Sequence, residues 1–211
     1  MDWILASTKT ALLPAVLLLL PACKSQKGSA ALVKAGRAVG STEQLCTSDS
    51  GPIAVSSDSI DGLAVSANFR TLRRACPAAK DTVLEGSEGS VSPGLSFPYL
   101  GLRVVAVQYR KALAEGQRPD AWILEGRNAR LPNGLSLTAR WSDLRRTYGP
   151  AIGDQEGAVN VVFCRMPKLV FMLKMVATAG GSVVDWSTIP DDTEVEQLRI
   201  YPVPPIDPSS C

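Results

Sequence analysis

Two copies of one segment constrain the fold of this chain more than any other feature of its sequence. The first copy spans residues 61–78 and the second spans 133–150, so equivalent residues lie 72 positions apart. Six of the 18 positions are identical: Gly62/Gly134, Leu63/Leu135, Ala67/Ala139, Leu72/Leu144, Arg73/Arg145 and Arg74/Arg146. Self-similarity at a fixed spacing is the sequence signature of a repeated structural unit. The chain is therefore predicted to contain two related units.

Each copy predicts a turn, a short extended piece and an amphipathic helix. Ser66 and Thr138 stand where an N-cap hydroxyl would accept the first free backbone N–H groups. The apolar residues then recur with the three-and-four spacing of one helical face: Phe69, Leu72 and Cys76 in the first copy, and Trp141, Leu144 and Tyr148 in the second. Pro77 and Gly149-Pro150 are expected to end the helices.

Segments rich in β-branched and other apolar residues predict the strands. They are residues 51–55 and 101–110 in the first unit, and 121–125, 157–164, 168–176 and 195–201 in the second. Between the first helix and residue 101 the chain passes through 81–85 and a Gly/Ser-rich stretch at 86–93. We expect an α+β fold of two tandem strand-helix-strand-strand repeats, 46–118 and 119–211, forming one globular domain. Its sheet should be mostly antiparallel, with the helices on one face.

The N-terminal residues predict an export signal. The apolar run at 11–20 follows a weakly charged start and is too short to span a bilayer as a helix. The residues Leu20-Pro21-Ala22-Cys23 resemble a bacterial lipobox, with leucine three positions before the cysteine and a small residue just before it. The sequence thus predicts a lipoprotein signal peptide at 1–22 and acylation of Cys23. A cysteine that stands by chance at a simple cleavage site is the alternative.

The residues after the lipobox predict a membrane anchor and a tether. Lys24 stands where aspartate would be the usual signal for inner-membrane retention, so the resemblance implies sorting to the outer membrane. Several acyl chains on Cys23 would anchor the protein stably, as one chain would not. Residues 23–45 are rich in Lys, Ala, Gly and Ser and predict a flexible tether with its positive charge near a lipid surface. An ordinary solvated linker is the alternative.

The remaining four cysteines predict two disulfides, because an even set in an oxidising compartment favours bridges over free thiols. They are Cys46, Cys76, Cys164 and Cys211, and three pairings are possible. A helix that runs back along its strand brings Cys76 near Cys46. This favours Cys46 with Cys76 and leaves Cys164 for Cys211.

The chain lacks the residues that several classes of function require. The chain has no histidine, which excludes Ser-His-Asp and Cys-His catalysis and any histidine-ligated metal site. It has no CxxC pair, its net charge of +2 does not suggest nucleic-acid binding, and the acidic cluster at 191–196 lacks EF-hand spacing. Ser-Lys and paired-carboxylate catalysis stay open. We predict a protein that is not an enzyme and uses no cofactor or metal.

The repeated arginine pairs suggest a binding surface. By helical phase, Arg73, Arg74, Arg145 and Arg146 lie beside the core-facing leucines. Duplication could place both pairs on one surface suited to a phosphate-bearing lipid or another anionic partner. The alternative is two solvated helix flanks whose aliphatic stems cover apolar surface.

A family resemblance rests on the second half of the chain. Residues 122–149, with Asn133-Gly-Leu, Trp141-Ser-Asp-Leu and Tyr148-Gly149, together with Ile189-Pro-Asp-Asp192 and 195–201, resemble the RpoE-regulated lipoprotein family of Gram-negative outer membranes. Members carry a cysteine just after the second helix, where this chain has Gly149-Pro150. The resemblance implies a connection with envelope stress and supplies no catalytic residues.

These observations favour a non-enzymatic outer-membrane lipoprotein that faces the periplasm and binds or supports another envelope component. The partner would be an envelope protein or an anionic lipid. A periplasmic inhibitor of a β-lactamase or a lysozyme is the second hypothesis, because tandem helix-and-sheet units also resemble the architecture of the β-lactamase inhibitory protein. An enzyme with an unrecognised site is the third.

Overall fold

An eight-stranded antiparallel sheet and two helices form most of the described chain. The computed structural model describes residues 46, 51–86, 89–110, 112–156, 158–174 and 184–207. In chain order the elements are β1 (Ile53–Ala54), β2 (Ser59–Ile60), β3 (Leu63–Ala64), α1 (Phe69–Ala75), β4 (Lys80–Glu85), β5 (Val91–Phe97), β6 (Leu102–Val107), β7 (Ala121–Gly126), β8 (Ala129–Arg130), α2 (Trp141–Tyr148), β9 (Ala151–Glu156), β10 (Ala158–Phe163), β11 (Leu169–Leu173) and β12 (Val195–Ile200). The α+β class and the mostly antiparallel sheet are as predicted.

The order of the strands is symmetric about the centre of the sheet. It is β4-β5-β6-β7-β12-β11-β10-β9, so the four strands that follow α1 and the four that follow α2 each run from an edge to the central β7–β12 pair. The prediction made β7 the opening strand of the second unit. In the sheet it pairs with β6 and completes the run that follows α1. The predicted boundary between residues 118 and 119 therefore falls inside the first run.

Both copies of the repeated segment begin with the same backbone turn. Asp61 and Asn133 are the only non-glycine residues of the described chain with positive φ, at 49° and 71°. Each precedes a glycine that also has positive φ, Gly62 at 82° and Gly134 at 80°. Two successive residues with positive φ form the turn that Asp-Gly and Asn-Gly pairs favour. Outside the main sheet, β1 pairs in parallel with β8 and thus joins the segments that precede the two turns.

The helices bury the predicted residues but begin later than predicted. Ser66 and Thr138 are not the N-caps, because the caps are Asn68 and Arg140, each two residues further along. The Asn68 side chain accepts a hydrogen bond from the Thr71 backbone (2.8 Å), whereas Arg140 makes no such side-chain bond. The predicted helix ends are confirmed, since α1 stops before Pro77 and α2 stops at Gly149.

Backbone carbonyls from distant segments complete both helix caps. The first two N–H groups of each helix donate to the connection that leads into the last strand of the same run, β7 or β12. The four bonds run from Phe69 to Gln117 (3.0 Å), from Arg70 to Glu115 (2.9 Å), from Trp141 to Thr193 (2.8 Å) and from Ser142 to Asp191 (3.1 Å). These bonds satisfy N–H groups that have no partner within the helix.

One face of the sheet packs against both helices. The buried residues Phe69 and Leu72 of α1 and Trp141 and Leu144 of α2 belong to the same core as alternate residues of the strands. In the second half this core is aromatic: Trp141, Tyr148, Phe163, Phe171 and Trp186 make ring contacts with centroids 5.4–6.1 Å apart. Burying one large apolar side chain contributes about 1.5–3 kcal/mol, so this cluster is a main source of stability.

Three strands of the main sheet, β4, β5 and β9, were not predicted from the sequence. The glycines of β5 and β9, together with Pro93, resemble a loop composition, yet the neighbouring strands require small residues there. A Cβ atom at Gly94 would lie 2.7 Å from the Ala106 carbonyl oxygen. A Cβ atom at Gly153 would lie 2.2 Å from the Asn160 carbonyl oxygen and 2.8 Å from the Trp186 ring. Glycine within a strand marks such close approaches.

The structure contains the first of the two expected disulfides. Cys46 is bonded to Cys76, with their Cα atoms 5.6 Å apart, and both are buried. The bridge joins the C-terminal end of α1 to the segment before β1. Cys164 is also disulfide-bonded. Cys211, its expected partner, lies outside the described residues.

Candidate functional site

The first arginine of each repeated pair binds a carboxylate close to the cap of its own helix. Arg73 donates through Nε to Glu115 (2.8 Å) and through Nη2 to Asp81. These hydrogen bonds, first to Asp81 and then to Glu115, raise the pKa of Arg73. Arg145 donates to Asp191 (3.1 Å), and its guanidinium lies 5.9 Å from the centroid of the Trp141 ring.

This pairing gives Arg73 and Arg145 a structural role. Glu115 and Asp191 are the residues whose backbone carbonyls also accept bonds from the start of α1 and α2. Each arginine therefore holds the connection that caps its own helix. The same residue type at the same helical position thus performs the same task in both halves of the molecule.

The second arginine of each pair is exposed. Arg146 pairs with Asp143 (2.6 Å) on the same helix, an arrangement worth only a few tenths of a kcal/mol at an exposed site. Within the described part of the chain, no residue forms a hydrogen bond or ion pair with the Arg74 side chain. The anion site expected at Arg73, Arg74, Arg145 and Arg146 stays a prediction.

The sheet face turned away from the helices carries polar side chains above an apolar floor. We call it the open face. On β4–β7 and β12 it includes Leu84, Ser92, Arg103, Val105, Val107, Ile123, Glu125, Gln197 and Arg199, and on β9–β11 it includes Asp154, Asn160, Val162 and Val170. Val105, Val107 and Ile123 form a small buried cluster of their own, against which Leu84 packs.

Four side chains form a hydrogen-bonded row across β6, β7 and β12. Arg103 Nη1 donates to Glu125 Oε2 (2.8 Å), and Gln197 Nε2 donates to Glu125 Oε1 (2.6 Å). Arg199 Nε then donates to Gln197 Oε1 (2.6 Å). Both carboxylate oxygens of Glu125 are therefore occupied, and the row fixes the orientation of the Arg199 side chain.

The terminal donors of Arg199 have no acceptor among the described residues. Arg199 is half-buried between Ile123 of β7 and Val170 of β11, its neighbours in the two strand pairs. No described residue accepts a hydrogen bond from either of its Nη groups. Half-buried donors are normally satisfied by a partner or by water. A hydrogen-bond acceptor on a ligand would therefore bind the two Nη groups of the guanidinium fork.

Two grooves meet at Arg199. The first groove, of about 590 Å³, is bounded by strands of the first half and by β12, with Leu84, Val107 and Ile123 as its apolar part. The second groove, of about 180 Å³, is lined by Asp154, Asn160, Val162, Val170, Arg199, Tyr201, Pro205 and Ile206. Pro205 and Ile206 come from the segment after β12, so the chain's own C-terminal residues border the second groove.

Tyr109 stands at the rim of the first groove and is 51% exposed. Its backbone N–H donates to the Asp120 carboxylate (2.7 Å). Partial burial, followed by the proximity of Tyr201, raises the pKa of Tyr109 to about 12. The phenol is therefore neutral near pH 7 and can donate a hydrogen bond. A large amphipathic ring at a groove rim is typical of binding surfaces.

Two polar groups of the open face have defined states. Glu125 accepts hydrogen bonds from Arg103 and Gln197, and the phenol of Tyr109 is protonated near pH 7. Among the described residues no group of three or more His, Cys, Asp or Glu side chains could hold a metal ion. The groups of this face that are open to contact are the Nη groups of Arg199, which have no acceptor among the described residues, and the half-exposed Tyr109 ring.

The sequence pattern did not single out the open face. Alternation in β6 and β12 shows that Arg103 and Arg199 point away from their buried neighbours, which is the one available signal. It does not show that β7 and β12 pair, which brings Glu125 beside Gln197. The signal peptide predicted at 1–22, Cys23 and the whole tether predicted at 23–45 lie outside the described residues. No helix in the described ranges is long and apolar enough to cross a membrane.

Comparisons with known proteins leave the chain without an assigned family. No family model matches it, and no curated protein matches it. The crystal structure of the uncharacterized protein yfeY from Escherichia coli superposes with a TM-score of 0.47 at 12% sequence identity. That match covers 70% of this chain and 99% of yfeY.

Proposed function

We propose that this protein is a non-enzymatic outer-membrane lipoprotein that faces the periplasm and binds another envelope component through the first groove. The observation that carries the proposal is the open face itself. The eight-stranded sheet carries both helices on one side, and no described helix covers its other side. On that side the Nη groups of Arg199 have no hydrogen-bond acceptor among the described residues, and the Tyr109 ring is half-exposed. A partner would accept hydrogen bonds from Arg199 and cover the Tyr109 ring.

The location rests on sequence. The lipobox resemblance at residues 20–23 supports acylation of Cys23, and Lys24 supports sorting to the outer membrane. The resemblance to the RpoE-regulated lipoproteins supports a role in envelope stress. Residues 23–45 would then be the tether that holds the folded part near the lipid surface.

We also propose that the two halves arose by duplication of one unit. Four features support this: the repeated turns, the equivalent buried leucines Leu72 and Leu144, the distant carbonyls that cap both helices, and the symmetric strand order. The unit would run from the short strand before the turn to the last strand of each sheet run, 53–126 and 129–200. The unit boundary then lies after β7.

Labelling with palmitate tests the anchor. Radiolabelled palmitate should enter the wild type and fail to enter Cys23→Ser, and the labelled protein should fractionate with the outer membrane. Equal labelling of the two forms would end the lipoprotein proposal.

A matched pair of lysine substitutions tests the binding face. Ile123 and Val170 are each 7% exposed and flank Arg199, but Ile123 lines the first groove and Val170 lines the second. Chemical crosslinking in intact cells, read by mass spectrometry, should recover an envelope partner with the wild type and Val170→Lys. Ile123→Lys should lose it, because the new ammonium occupies the first groove. If both variants recover the same amount of the partner, the contact lies outside the first groove. Arg74 and Arg146 would then be tested next.

The inhibitor hypothesis has a direct test. The open face exposes a tyrosine and a polar row, which are common features of protein–protein interfaces. Purified protein should leave β-lactamases and lysozymes active if the proposed function holds. Stoichiometric inhibition of one of them would make that enzyme the partner.

A further inference from the structure

The exposed flank of α1 carries two arginines that no neighbouring carboxylate neutralises. Arg70 and Arg74 lie one turn apart on the helix, and both are exposed. Within the described ranges, neither side chain forms an ion pair with an acidic residue. Like charges at this spacing repel one another and destabilise a helix. An anion against this flank would remove the repulsion.

The equivalent flank of α2 is neutral. The two copies of the repeat align three positions of the flank: Arg70 with Ser142, Thr71 with Asp143 and Arg74 with Arg146. In α2 the carboxylate of Asp143 binds Arg146, and a serine stands where α1 has its other arginine. The same helix therefore forms in the second half without the double positive charge. That charge is not a requirement of the fold.

The segments that contact α1 do not cancel its charge. Arg73 binds Asp81 and Glu115, but these two carboxylates stand close in the chain to two cations, Lys80 and Arg118. The charges of the two segments cancel, and those of the three arginines of α1 remain. The connection that caps α2 contributes three carboxylates and no cation. An excess of positive charge is thus a property of the first half.

The N-terminal segment enters the fold beside α1. Cys46 is bonded to Cys76, which is the C-cap of this helix. The predicted tether at 24–45 ends at that point, and its sequence has four cations and one carboxylate. For a protein that is anchored at Cys23, a lipid surface is therefore the anionic surface that the chain itself keeps close to α1.

We infer that the Arg70–Arg74 flank of α1 lies against an anionic phospholipid surface. This inference rests on the membrane location in the proposed function and adds an orientation to it. Neither groove is lined by α1, and a convex helix flank suits many headgroups better than one molecule in a cavity. Each arginine near such a surface strengthens the contact about fivefold. The contact turns the open face away from the lipid, because α1 packs on the other side of the sheet.

Energy transfer to labelled lipid headgroups measures this contact. Ala78 and Pro150 are equivalent, exposed positions just after α1 and α2, and a fluorescent residue is placed at one or the other. The full-length protein is reconstituted into vesicles of phosphatidylcholine, alone or with phosphatidylglycerol in equal parts. In the mixed vesicles, transfer should be higher from position 78 than from position 150. Added salt should reduce this difference, because salt screens exposed charges.

Substitutions on the two helices locate the contact. Arg70→Gln and Arg74→Gln should each lower its equilibrium constant about fivefold, whereas Arg146→Gln should leave it unchanged. Thr71→Asp is the most specific variant, because it keeps both arginines and gives α1 the acidic residue that neutralises α2. It should weaken the contact as much as Arg74→Gln does. It should not destabilise the helix, since an acidic residue in the first turn is favourable.

Three results would overturn the inference. They are equal transfer from positions 78 and 150 in the wild type, transfer from position 78 that Thr71→Asp does not change, and equal transfer in the two kinds of vesicle. Inorganic phosphate, compared with chloride at equal ionic strength, tests the source of the anion. Loss of transfer in phosphate alone would assign the flank to a single phosphate group, and the inference would be wrong.

The palmitate experiment separates this inference from the proposed function. If palmitate enters the wild type but transfer from position 78 does not depend on anionic lipid, the anchor stands and the inference is wrong. If palmitate enters neither the wild type nor Cys23→Ser but transfer depends on Arg70 and Arg74 as expected, the inference stands and the lipoprotein proposal fails.

Discussion

The two halves of the molecule share an arrangement of helix and strands but differ in the amount of aromatic packing around the helix. The helix of the second half packs into an aromatic cluster centred on Trp141, Phe163 and Phe171. The helix of the first half contributes Phe69 and Leu72, and its end is tied by the Cys46–Cys76 bridge. With a sequence separation of 30 between the cysteines, that bridge contributes about 3.5–4 kcal/mol in the chain-entropy model. Cys164 of the second half is also disulfide-bonded, so the larger aromatic cluster is the main difference between the two halves.

The halves differ again on the open face. In the second half, Pro205 and Ile206 border a small groove, while in the first half the larger groove has no such segment among the described residues. The helix side of the sheet, which carries the core, is similar in the two halves. The open side differs between them, and we place binding there. Related scaffolds can diverge in function where the stabilising core is not involved.

The largest expected effect concerns the buried leucines. Leu72→Ala and Leu144→Ala remove similar volume from equivalent sites that are 1% and 0% exposed, so each should cost about 2–5 kcal/mol. Denaturant melts of the two variants supply the comparison. If Leu72→Ala is nearly neutral while Leu144→Ala unfolds the protein, the two segments are similar in sequence but do not have the same structural role.

A smaller effect is expected where the second half is most tightly packed. Gly153→Ala should destabilise the protein by about 1–3 kcal/mol, because the new methyl group meets the Asn160 carbonyl and the Trp186 ring. Gly116→Ala is the control, since nothing lies within 4 Å of its Cβ position. Thermal melts that show equal stability for the two variants would contradict the packing described for β9.

The smallest effects concern the arginines. Arg73→Gln removes two carboxylate bonds at a partly exposed site and should cost about 0.5–1 kcal/mol. Arg74→Gln should stay within about 0.5 kcal/mol. Amide hydrogen exchange distinguishes the two variants more clearly than stability does. Only Arg73→Gln should raise the exchange rates of the Phe69 and Arg70 amides, because these amides bond to the segment that Arg73 holds. Faster exchange in Arg74→Gln as well would remove the structural role assigned to Arg73.

Local features were predictable from the sequence. The turns at Asp61 and Asn133, the buried faces of both helices and the helix ends follow from residue types at fixed spacing. The α+β class followed from the same patterns. These features depend on short-range backbone preferences and side-chain periodicity, which a single sequence carries.

Features set by distant contacts were not predictable. Asn68 and Arg140 replace the expected caps because carbonyls from the connections before β7 and β12 satisfy the first N–H groups of the helices. The glycines of β5 and β9 resemble loop residues until the neighbouring strands are known. The candidate site depends on the pairing of β7 with β12, since only that pairing places Gln197 between Glu125 and Arg199.

Site-specific photocrosslinking at matched positions tests the central claim most directly. A photoreactive residue is placed in living cells at Ser92, which lines the first groove, or at Asp154, which lines the second. We predict an adduct with an envelope protein from position 92, lost when Ile123→Lys is added, and none from position 154. An adduct of equal yield from position 154, or adducts obtained only from position 74 on α1, would contradict it.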